Sequence, residues 1–231
     1  MAFWGGARLA EEVEKRKIVS PFSPKLIDCN SYTLCMGDEY YITPEAGYSL
    51  RKSRKKSLIS KSYFSPSENK FVNKSETFTI PPGQFAFLLS QQVVKIPDDV
   101  MGFISLRSGI KFRGLINVSG FHVDPGFEGK LIYSVFNAGP SSFSIGLGDP
   151  LFKLWLADLD GEVRKDYVFS CSEPQLEIPN SLVSDVAKSV SSVQQMDTRV
   201  KALETKMTIV LGVISALATA AVIIARLAGA L

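Results

Sequence analysis

The sequence predicts a mainly β domain, built as a sandwich or barrel, followed by a helical coiled coil and one transmembrane helix. Short apolar runs alternate with polar residues through the first 176 residues, and Gly, Pro or Asn interrupts them about every 8–12 residues. A thin apolar stripe at helical spacing follows, and the chain is uncharged and apolar from Met207 to Ala225. Its 231 residues are enough for one well-packed domain with an appendage.

The first domain, residues 1–176, contains the segments with the clearest strand pattern. Their apolar and polar side chains alternate with a period of two, which is typical of strands with one buried face. The segments are FTIPPGQFAFLLS (78–90), VVKIPDDVMGFISL (93–106), KLIYSVFNAG (130–139) and SFSIGLGDPLFKLWLADL (142–159). The opening stretch MAFWGGARLAEEVEKRK predicts a short amphipathic helix and no secretory signal. The basic segment 50–75 predicts a solvated loop or long hairpin, with contact to an anionic membrane as a second interpretation.

Residues 177–206 predict a coiled-coil stalk. Pro179 and Asn180 end the β pattern, and Asn180 or Ser181 can cap a helix. Apolar residues then recur at spacings of three and four, with one extra step of three. The predicted seam consists of Val183, Val186, Val190, Val193, Met196, Val200, Leu203 and Met207. Because so narrow a stripe has no core of its own to cover, self-association is the simplest explanation for it.

Residues 207–231 predict a transmembrane helix, with a buried core helix as the alternative. Nineteen residues, Met207 to Ala225, carry no charge and would span roughly 28 Å as a helix, close to the thickness of a bilayer. Three cations shortly precede the run and one follows it. They are Arg199, Lys201 and Lys206 before the run and Arg226 after it. The position of the run at the end of the sequence predicts a single-pass, tail-anchored membrane protein. The positive-inside bias predicts that its N-terminal domain lies in the cytoplasm.

Charge and cysteine content narrow the function classes. The formal net charge of +3 and the pI near 8.7 are too weak to indicate a nucleic-acid partner, and none is predicted. Cys29, Cys35 and Cys171 show neither metal-ligand spacing nor an even-numbered disulfide framework. We therefore expect free thiols, a reducing compartment and no metal site made by the protein alone.

A cationic motif, LRSGIKFRG, occupies residues 106–114. Guanidinium, hydroxyl and ammonium groups converge there with flexible glycine backbone, and phosphate groups need such convergent donors. The candidate nucleotide-binding residues of this motif are Arg107, Ser108, Gly109, Lys111 and Arg113. A basic strand end is the alternative interpretation of the same residues.

A second motif, GFHVDPGFEGKL, occupies residues 120–131. It places the carboxylate of Asp124 before a Pro-Gly turn and the ring of Phe127 three residues later. The arrangement predicts either a small-molecule site in which Asp124 activates a water, or a tight turn between two strands. His122, the single histidine of the chain, is expected to be a strand-end or subunit-contact residue rather than a catalytic one.

Four stretches, in this order, resemble the dCTP deaminase and dUTPase superfamily. They are SYTLCMGDEYY (31–41), PPGQFAFLLSQQVVKIPDDVMGFISLRSG (81–109), FHVDPGFEGKLIYSVFNAG (121–139) and SIGLGDPLFKLWL (144–156). The segment KIVSPFSPKLIDCNSYTLCMG, which follows the opening helix, is most similar to the deaminase branch. Order and spacing match as well as the individual motifs, from residue 8 to about residue 160.

The resemblance implies a distorted β-barrel or jelly roll of the dUTPase-like type, assembled as a homotrimer with three nucleotide sites at subunit interfaces. Arg107 and Ser108 would bind triphosphate oxygens of dCTP or dUTP. Asp124 would lie beside the deoxyribose, and in the dUTPases the matching residue activates the attacking water. Phe127 would stack on the sugar and exclude a ribose 2′-hydroxyl. Mg²⁺ would enter with the triphosphate and its waters.

Several positions differ from the pattern of the superfamily. Ser134 stands where the deaminases have a glutamate that relays protons at the pyrimidine ring, and Thr33 stands where the first motif has an aspartate. Gly109 replaces the usual second serine. Phe112 stands at the expected arginine, and Arg113 comes one place late.

The C-terminal lid of the superfamily is also replaced, by SEPQLEIPNSL and the predicted coil. Loss of one proton-transfer group typically lowers a rate by about 10²–10⁴-fold. We therefore expect a membrane-anchored, trimeric deoxynucleotide sensor in which catalysis is weakened or lost. Two alternatives stay open: a membrane-tethered dCTP deaminase or dUTPase that is active through Asp124, and a trimeric scaffold without ligand.

Overall fold

The computed structural model of the chain describes residues 2–43, 54–65, 70–161, 166, 168–170, 173–189 and 193–227. The predictions for Cys171 and Val190, and for residues 50–53 and 66–69 of the basic segment, lie outside the described residues. The strands are β1 (Val19–Ser20), β2 (Ile27–Asp28), β3 (Ser31–Ile42), β4 (Lys56–Ser57), β5 (Ser60–Ser65), β6 (Lys70–Ser75), β7 (Thr77–Ile80), β8 (Phe85–Lys95), β9 (Val100–Leu106), β10 (Leu115–Asn117), β11 (His122–Val123), β12 (Glu128–Asn137), β13 (Phe143–Gly146) and β14 (Pro150–Asp158). The helices are α1 (Gly6–Lys15), α2 (Ser108–Lys111), α3 (Asn180–Ser189) and α4 (Val193–Leu227), with a 3₁₀ turn at Pro24–Leu26.

Ten strands of the described chain form one sheet that curls as a half-barrel. Its main path runs β10-β12-β8-β3-β14-β9-β11. Beside this path, β1 pairs with β8, and β2 and β4 pair with β3. Two further antiparallel pairs are β13 with β7 and β5 with β6. The prediction of a mainly β domain is confirmed. The pairing of β5 with β6 also supports the hairpin interpretation of the basic segment.

Strand β3 joins the two halves of the curled sheet because it changes partner along its length. Residues 32–35 pair with β14, and residues 36–42 pair with β8. The register with β8 shifts between Met36 and Tyr40, where the strand bends. The bend of β3 lets the two halves of the sheet enclose the main core.

The main core lies inside this curl and is filled by large side chains of the central strands. The rings of Tyr133 and Phe152 stack there with centroids 3.7 Å apart. Burial alternates along β12, so that Leu131 and Tyr133 face the core whereas Ile132 and Ser134 face the other side. This second face of β12 and the turn before it carry the candidate site.

Helix α1 confirms the predicted amphipathic helix, since it buries Leu9 and Val13 against the main core. Trp4, which precedes it, is only 1% exposed and donates its indole N–H to a carboxylate oxygen of Asp158 at 2.9 Å. The guanidinium of Arg8 binds the same carboxylate through two hydrogen bonds. The N-terminus is therefore fixed to the last strand of the domain.

Helix α3 packs on the face of the sheet opposite the main core. Its Val183 is 4% exposed and lies in a second apolar cluster, which Leu182 and Val186 also contact. The other members of the cluster are Tyr41, Phe87, Leu89 and Ile178. Two residues of the predicted coiled-coil seam, Val183 and Val186, therefore pack against the β domain instead of against another helix.

Helix α4 forms a unit separate from the β domain and α3. It is one continuous helix through Met207, where the predicted stalk meets the predicted membrane span. Within it, Arg199–Ala220 is long and apolar enough to cross a membrane, by length and composition, and its side chains are exposed. The coiled coil and the membrane crossing stay predictions for this helix.

Candidate functional site

The second motif forms a tight turn between β11 and β12. The backbone N–H of Phe127 donates to the carbonyl oxygen of Asp124 at 3.2 Å. Gly126 has a φ of 83°, a conformation that glycine adopts without strain. With Pro125 before this glycine, the geometry is that of a type II turn. The turn holds Asp124 and Phe127 on the same side of the domain.

Asp124 and Phe127 line one cavity of about 210 Å³. The carboxylate of Asp124 is 54% exposed and lies 3.5 Å from Nε2 of His122. Phe127 is half-buried and packs against the main core. Ile104 and Ile132 contribute apolar side chains to the wall of this cavity. The motif is thus both a turn and part of a small concave site, and the two interpretations drawn from the sequence do not exclude each other.

A connector, residues 168–170 and 173–179, leads from the β domain to α3 and folds back onto this turn. The backbone N–H of Phe169 donates to the carbonyl oxygen of Pro125 at 2.8 Å, and its ring centroid lies 6.2 Å from that of Phe127. The approach is so close that a Cβ on Gly126 would stand 2.4 Å from the carbonyl oxygen of Phe169. The connector therefore covers the turn within the same chain.

Gln175 fixes the connector a second time, beside the start of β12. The backbone N–H of Lys130 donates to the carbonyl oxygen of Gln175 at 2.6 Å, and the Gln175 side-chain amide donates to the carbonyl oxygen of Lys130 at 3.1 Å. Gln175 also lines the cavity. The sequence indicated only that this segment replaces a lid. It gave no signal for Phe169 or Gln175, because their contacts join distant parts of the chain.

Ser134 lies on the second face of β12, opposite Phe87 of β8. Its carbonyl oxygen accepts a hydrogen bond from the N–H of Val118 at 2.7 Å, which ties down the loop between β10 and β11. That loop contributes Ser119 and Gly120 to the cavity wall. A serine hydroxyl at this position cannot act as a carboxylate base near neutral pH.

Glu128, the one acidic residue of β12, does not replace a carboxylate at Ser134. It is the first residue of the strand, six residues away from Ser134, or roughly 20 Å along an extended chain. Its carboxylate pairs with Nζ of Lys95 at 2.7 Å. Within the described residues, Asp124 is therefore the only carboxylate that lines the cavity.

The first motif lies where β9 ends and α2 begins. The guanidinium of Arg107 donates to the carbonyl oxygen of Pro150 at 3.3 Å, and Nζ of Lys111 donates to Oγ of Ser105 at 3.3 Å. Between these two cations, α2 presents its exposed first residues, Ser108 and Gly109. The turn thus groups four of the five predicted phosphate ligands at one end of β9.

Arg113, the fifth, has a different environment. The carbon of its guanidinium lies 4.3 Å from the ring centroid of Phe143, a cation–π contact. Both residues line a separate cavity of about 480 Å³, together with Phe112, which is 88% exposed. Arg113 therefore has an aromatic partner of its own, and its role in phosphate binding stays a prediction.

The two motifs lie at opposite ends of β9 within one chain. Val123, beside Asp124, pairs with Gly102, whereas Arg107 follows Leu106 at the other end of the strand. From Gly102 to Arg107 the strand rises by roughly 17 Å, at about 3.3 Å per residue. One chain alone therefore does not bring Asp124 and Arg107 into a single compact site.

A buried lysine that the sequence analysis did not single out lies beside the first motif. Lys153 of β14 is 9% exposed, and its Nζ donates to Oδ2 of Asp28 at 2.6 Å and to Oγ1 of Thr33 at 3.1 Å. The hydrogen bond from Lys153 is the main reason that the pKa of the Asp28 carboxyl lies below its usual value, and the charge of Arg107 contributes to the same shift. In the sequence, the only sign of this buried lysine is its position inside the apolar run LFKLWL.

The family profile described as dCTP deaminase-like matches residues 4–159. Among curated proteins, the dCTP deaminase of Pyrococcus furiosus is 32% identical over 156 residues, which are 68% of this chain and 85% of that protein. The dCTP deaminase of Pyrobaculum aerophilum is 33% identical over 146 residues, 63% of this chain and 78% of that protein. The crystal structure of 2′-deoxycytidine 5′-triphosphate deaminase from Agrobacterium tumefaciens is similar over 67% of this chain and 47% of that chain, with a TM-score of 0.46 and 11% identity.

Proposed function

The chain belongs to the dCTP deaminase-like family, and we propose on that basis that it is a membrane-anchored, trimeric deoxynucleotide-binding protein in which deamination is weakened or lost. The proposed ligand is a deoxynucleoside triphosphate of the dCTP or dUTP type, because relatives that are 30% identical or more are named dCTP deaminases. Binding of the nucleotide, rather than its conversion, is the function that the site supports best.

One observation carries this proposal: β12 and the turn before it hold groups suited to binding, but no carboxylate at the position of the proton relay. Asp124 and Phe127 share a cavity, as recognition of a sugar requires. Ser134 lies on the neighbouring strand without a carboxylate to replace it, since Glu128 pairs with Lys95. Such a site can bind a deoxynucleotide and yet lack the group that would relay protons to its base.

The cavity supports a ligand that extends beyond it. Its volume of about 210 Å³ is below the roughly 300–1,000 Å³ of a complete small-molecule pocket, so it suits a sugar-sized group rather than a whole nucleotide. The phosphates would then reach other residues, for which we propose Arg107, Ser108, Gly109 and Lys111. Because this group lies at the far end of β9, we propose that a neighbouring copy in a trimer supplies it.

We propose that Mg²⁺ accompanies the triphosphate. The described residues contain no group of three or more His, Cys, Asp or Glu side chains that could hold a metal ion. Phosphate oxygens and water would therefore be its main ligands, which fits the preference of Mg²⁺ for octahedral oxygen coordination. When bound, the ion would neutralise part of the phosphate charge.

Helix α4 supports the proposed anchor, because Arg199–Ala220 is exposed and apolar over a length sufficient for a bilayer. We propose a single-pass protein with the β domain in the cytoplasm. Flotation with liposomes tests this part: the full chain should float, and a chain ending at Ser189 should stay at the bottom of the gradient. Equal behaviour of the two chains would refute the anchor.

An active enzyme is the second candidate, and the names of the relatives together with the His122–Asp124 contact favour it. In that case Asp124 would take a proton from the attacking water, and the imidazole at 3.5 Å would orient its carboxylate. The products distinguish the two candidates. Release of ammonia from dCTP or of pyrophosphate from dUTP, above the level of an Asp124→Asn variant, would establish the enzyme.

Titration of the full chain in nanodiscs with dCTP and dUTP tests the proposed function directly. We expect saturable binding that Arg107→Ala and Asp124→Ala abolish, with product release at background. CTP is the matched control for the sugar, because Phe127 should exclude its 2′-hydroxyl. If neither dCTP nor dUTP binds, the trimeric scaffold without a ligand is the remaining hypothesis.

A further inference from the structure

A row of three polar residues crosses the sheet where the first motif begins. Lys153 on β14 lies directly opposite Thr33 of β3 on one side and directly opposite Ser105 of β9 on the other. Directly opposed residues in an antiparallel sheet have Cβ atoms about 4.5–5.5 Å apart. Lys153 is therefore in contact distance of a hydroxyl on each neighbouring strand.

The ammonium group of Lys153 has a donor to spare. It carries three protons, and the described residues take two of them, through Asp28 and Thr33. Although the Lys153 side chain is only 11% exposed, its partner Asp28 is 60% exposed, so the pair opens to the surface. The third proton therefore belongs to a group whose partner is exposed to solvent, as a site for a ligand oxygen requires.

The row belongs to the same cationic surface as the first motif. Lys111 reaches Ser105, the cross-strand neighbour of Lys153, at 3.3 Å. Arg107 follows two residues after Ser105 and acts electrostatically on Asp28. The cluster therefore contains three cations, Arg107, Lys111 and Lys153, and one exposed carboxylate, Asp28, and this positive excess suits a polyanion.

We propose that Lys153 is a third phosphate-binding cation, beside Arg107 and Lys111, for the polyphosphate chain of a nucleotide. The motif carries Phe112 where an arginine is expected, and Arg113 is engaged with the Phe143 ring. Lys153 restores the missing charge from a different strand. Asp28 and Thr33 hold its ammonium in place before the ligand arrives. This inference rests on the proposed nucleotide site and names one more residue of it.

Titration with inorganic tripolyphosphate tests Lys153, because this probe has neither sugar nor base. The full chain with Lys153→Met should bind it about 10- to 100-fold more weakly, the loss of one hydrogen bond between charged groups. Asp28→Asn, which removes the competing negative charge, should bind it more tightly. Lys55→Met is the matched control, because Lys55 is also largely buried and paired with a carboxylate, Glu39 at 3.2 Å, and its affinity should not change.

Lys153→Met leaves the Asp28 carboxylate without its partner, so the double variant Asp28→Asn/Lys153→Met keeps the test valid if the single variant does not fold. It should bind tripolyphosphate about 10- to 100-fold more weakly than Asp28→Asn alone. Wild-type affinity in Lys153→Met, or equal affinity in Asp28→Asn and the double variant, with Arg107→Met abolishing binding, would overturn the role of Lys153 alone. No binding of tripolyphosphate, dCTP or dUTP by the unaltered chain would overturn the proposed function together with this inference.

Discussion

The ring of Phe169 lies 6.2 Å from the ring of Phe127, and the backbone N–H of Phe169 is bonded to the turn that holds Phe127. One of these residues belongs to the candidate sugar site and the other to the connector that leads to the C-terminal helices. In the superfamily pattern a lid follows the β domain, whereas here a segment fixed in the same chain covers the turn.

Phe169→Ala should weaken deoxynucleotide binding and lower the free energy of unfolding by about 1 kcal/mol, because it removes the ring that backs Phe127 from a position that is 45% exposed. Titration calorimetry and denaturant unfolding measure the two effects. Phe112→Ala is the control for stability, because its ring is 88% exposed. An unchanged affinity in Phe169→Ala would show that the connector does not shape the site.

Gly126→Ala should cost more stability than the same change at Gly161. Both glycines have a left-handed φ, 83° and 86°, so alanine is strained by its backbone in each. At Gly161 no atom of the described residues lies within 4 Å of the new Cβ, whereas at Gly126 it would meet the carbonyl oxygen of Phe169 at 2.4 Å. We expect a difference of about 1–3 kcal/mol in the free energy of unfolding, the usual effect of overpacking. Equal losses would mean that the connector moves away freely.

Ser134→Glu should raise ammonia release from dCTP by about 10²-fold or more, because it restores a carboxylate where the deaminases have their proton relay. Ser134→Gln is the matched control, since it has the same size without the charge. The carboxylate would stand opposite the ring of Phe87, so some loss of stability is expected as well. The same rate in both variants would indicate that more than this residue separates the chain from an active deaminase.

Asp158 should make the domain sensitive to acid. Hydrogen bonds from Arg8 are the main reason that the pKa of the Asp158 carboxyl is lowered, and Trp4 contributes. A carboxyl whose pKa is lower in the folded state stabilises that state above its unfolded value, about 3.9, and loses this effect as the pH falls through the folded value. Unfolding free energies between pH 2.5 and 7 should therefore fall below about pH 4, and Asp158→Asn should flatten the decline. An identical pH profile for the variant would contradict this account.

Two defective chains should complement each other if the site is shared. Arg107→Ala and Asp124→Ala remove residues that lie at opposite ends of β9, and each variant alone should bind no deoxynucleotide. In a mixed ring of three, one interface combines the intact Arg107 of one chain with the intact Asp124 of its neighbour. Co-expression with two different tags, followed by tandem purification and titration, should recover one site per mixed trimer. No recovery in mixed oligomers would exclude a site shared in this way.

The fold and the two motifs could be predicted because their signals are local. Alternation of period two marks β12, Pro125-Gly126 marks its turn, and Arg107-Ser108 marks the start of α2. The family resemblance added the order of these pieces along the chain.

The remaining part of the site depends on contacts between distant residues. Gln175 contacts Lys130, and Lys153 contacts Asp28. The residues of each pair are far apart in the sequence, and a periodic pattern of apolar residues does not predict such contacts. The predicted coiled-coil seam was partly wrong for a related reason. Val183 and Val186 have helical spacing, but a second apolar cluster on the sheet supplies the partner that the sequence pattern leaves unspecified.

The connector also defines the order in which the domain would yield to tension. A pull that enters through α4 reaches the packing of α3 first, then the strand-like pairing of Gln175 with Gly129, and last the contact of Phe169 with the turn. The contact beside the candidate sugar cavity would therefore be the last of these three to break under tension. Force-extension traces should show α3 detaching before any step that a bound nucleotide shifts to higher load.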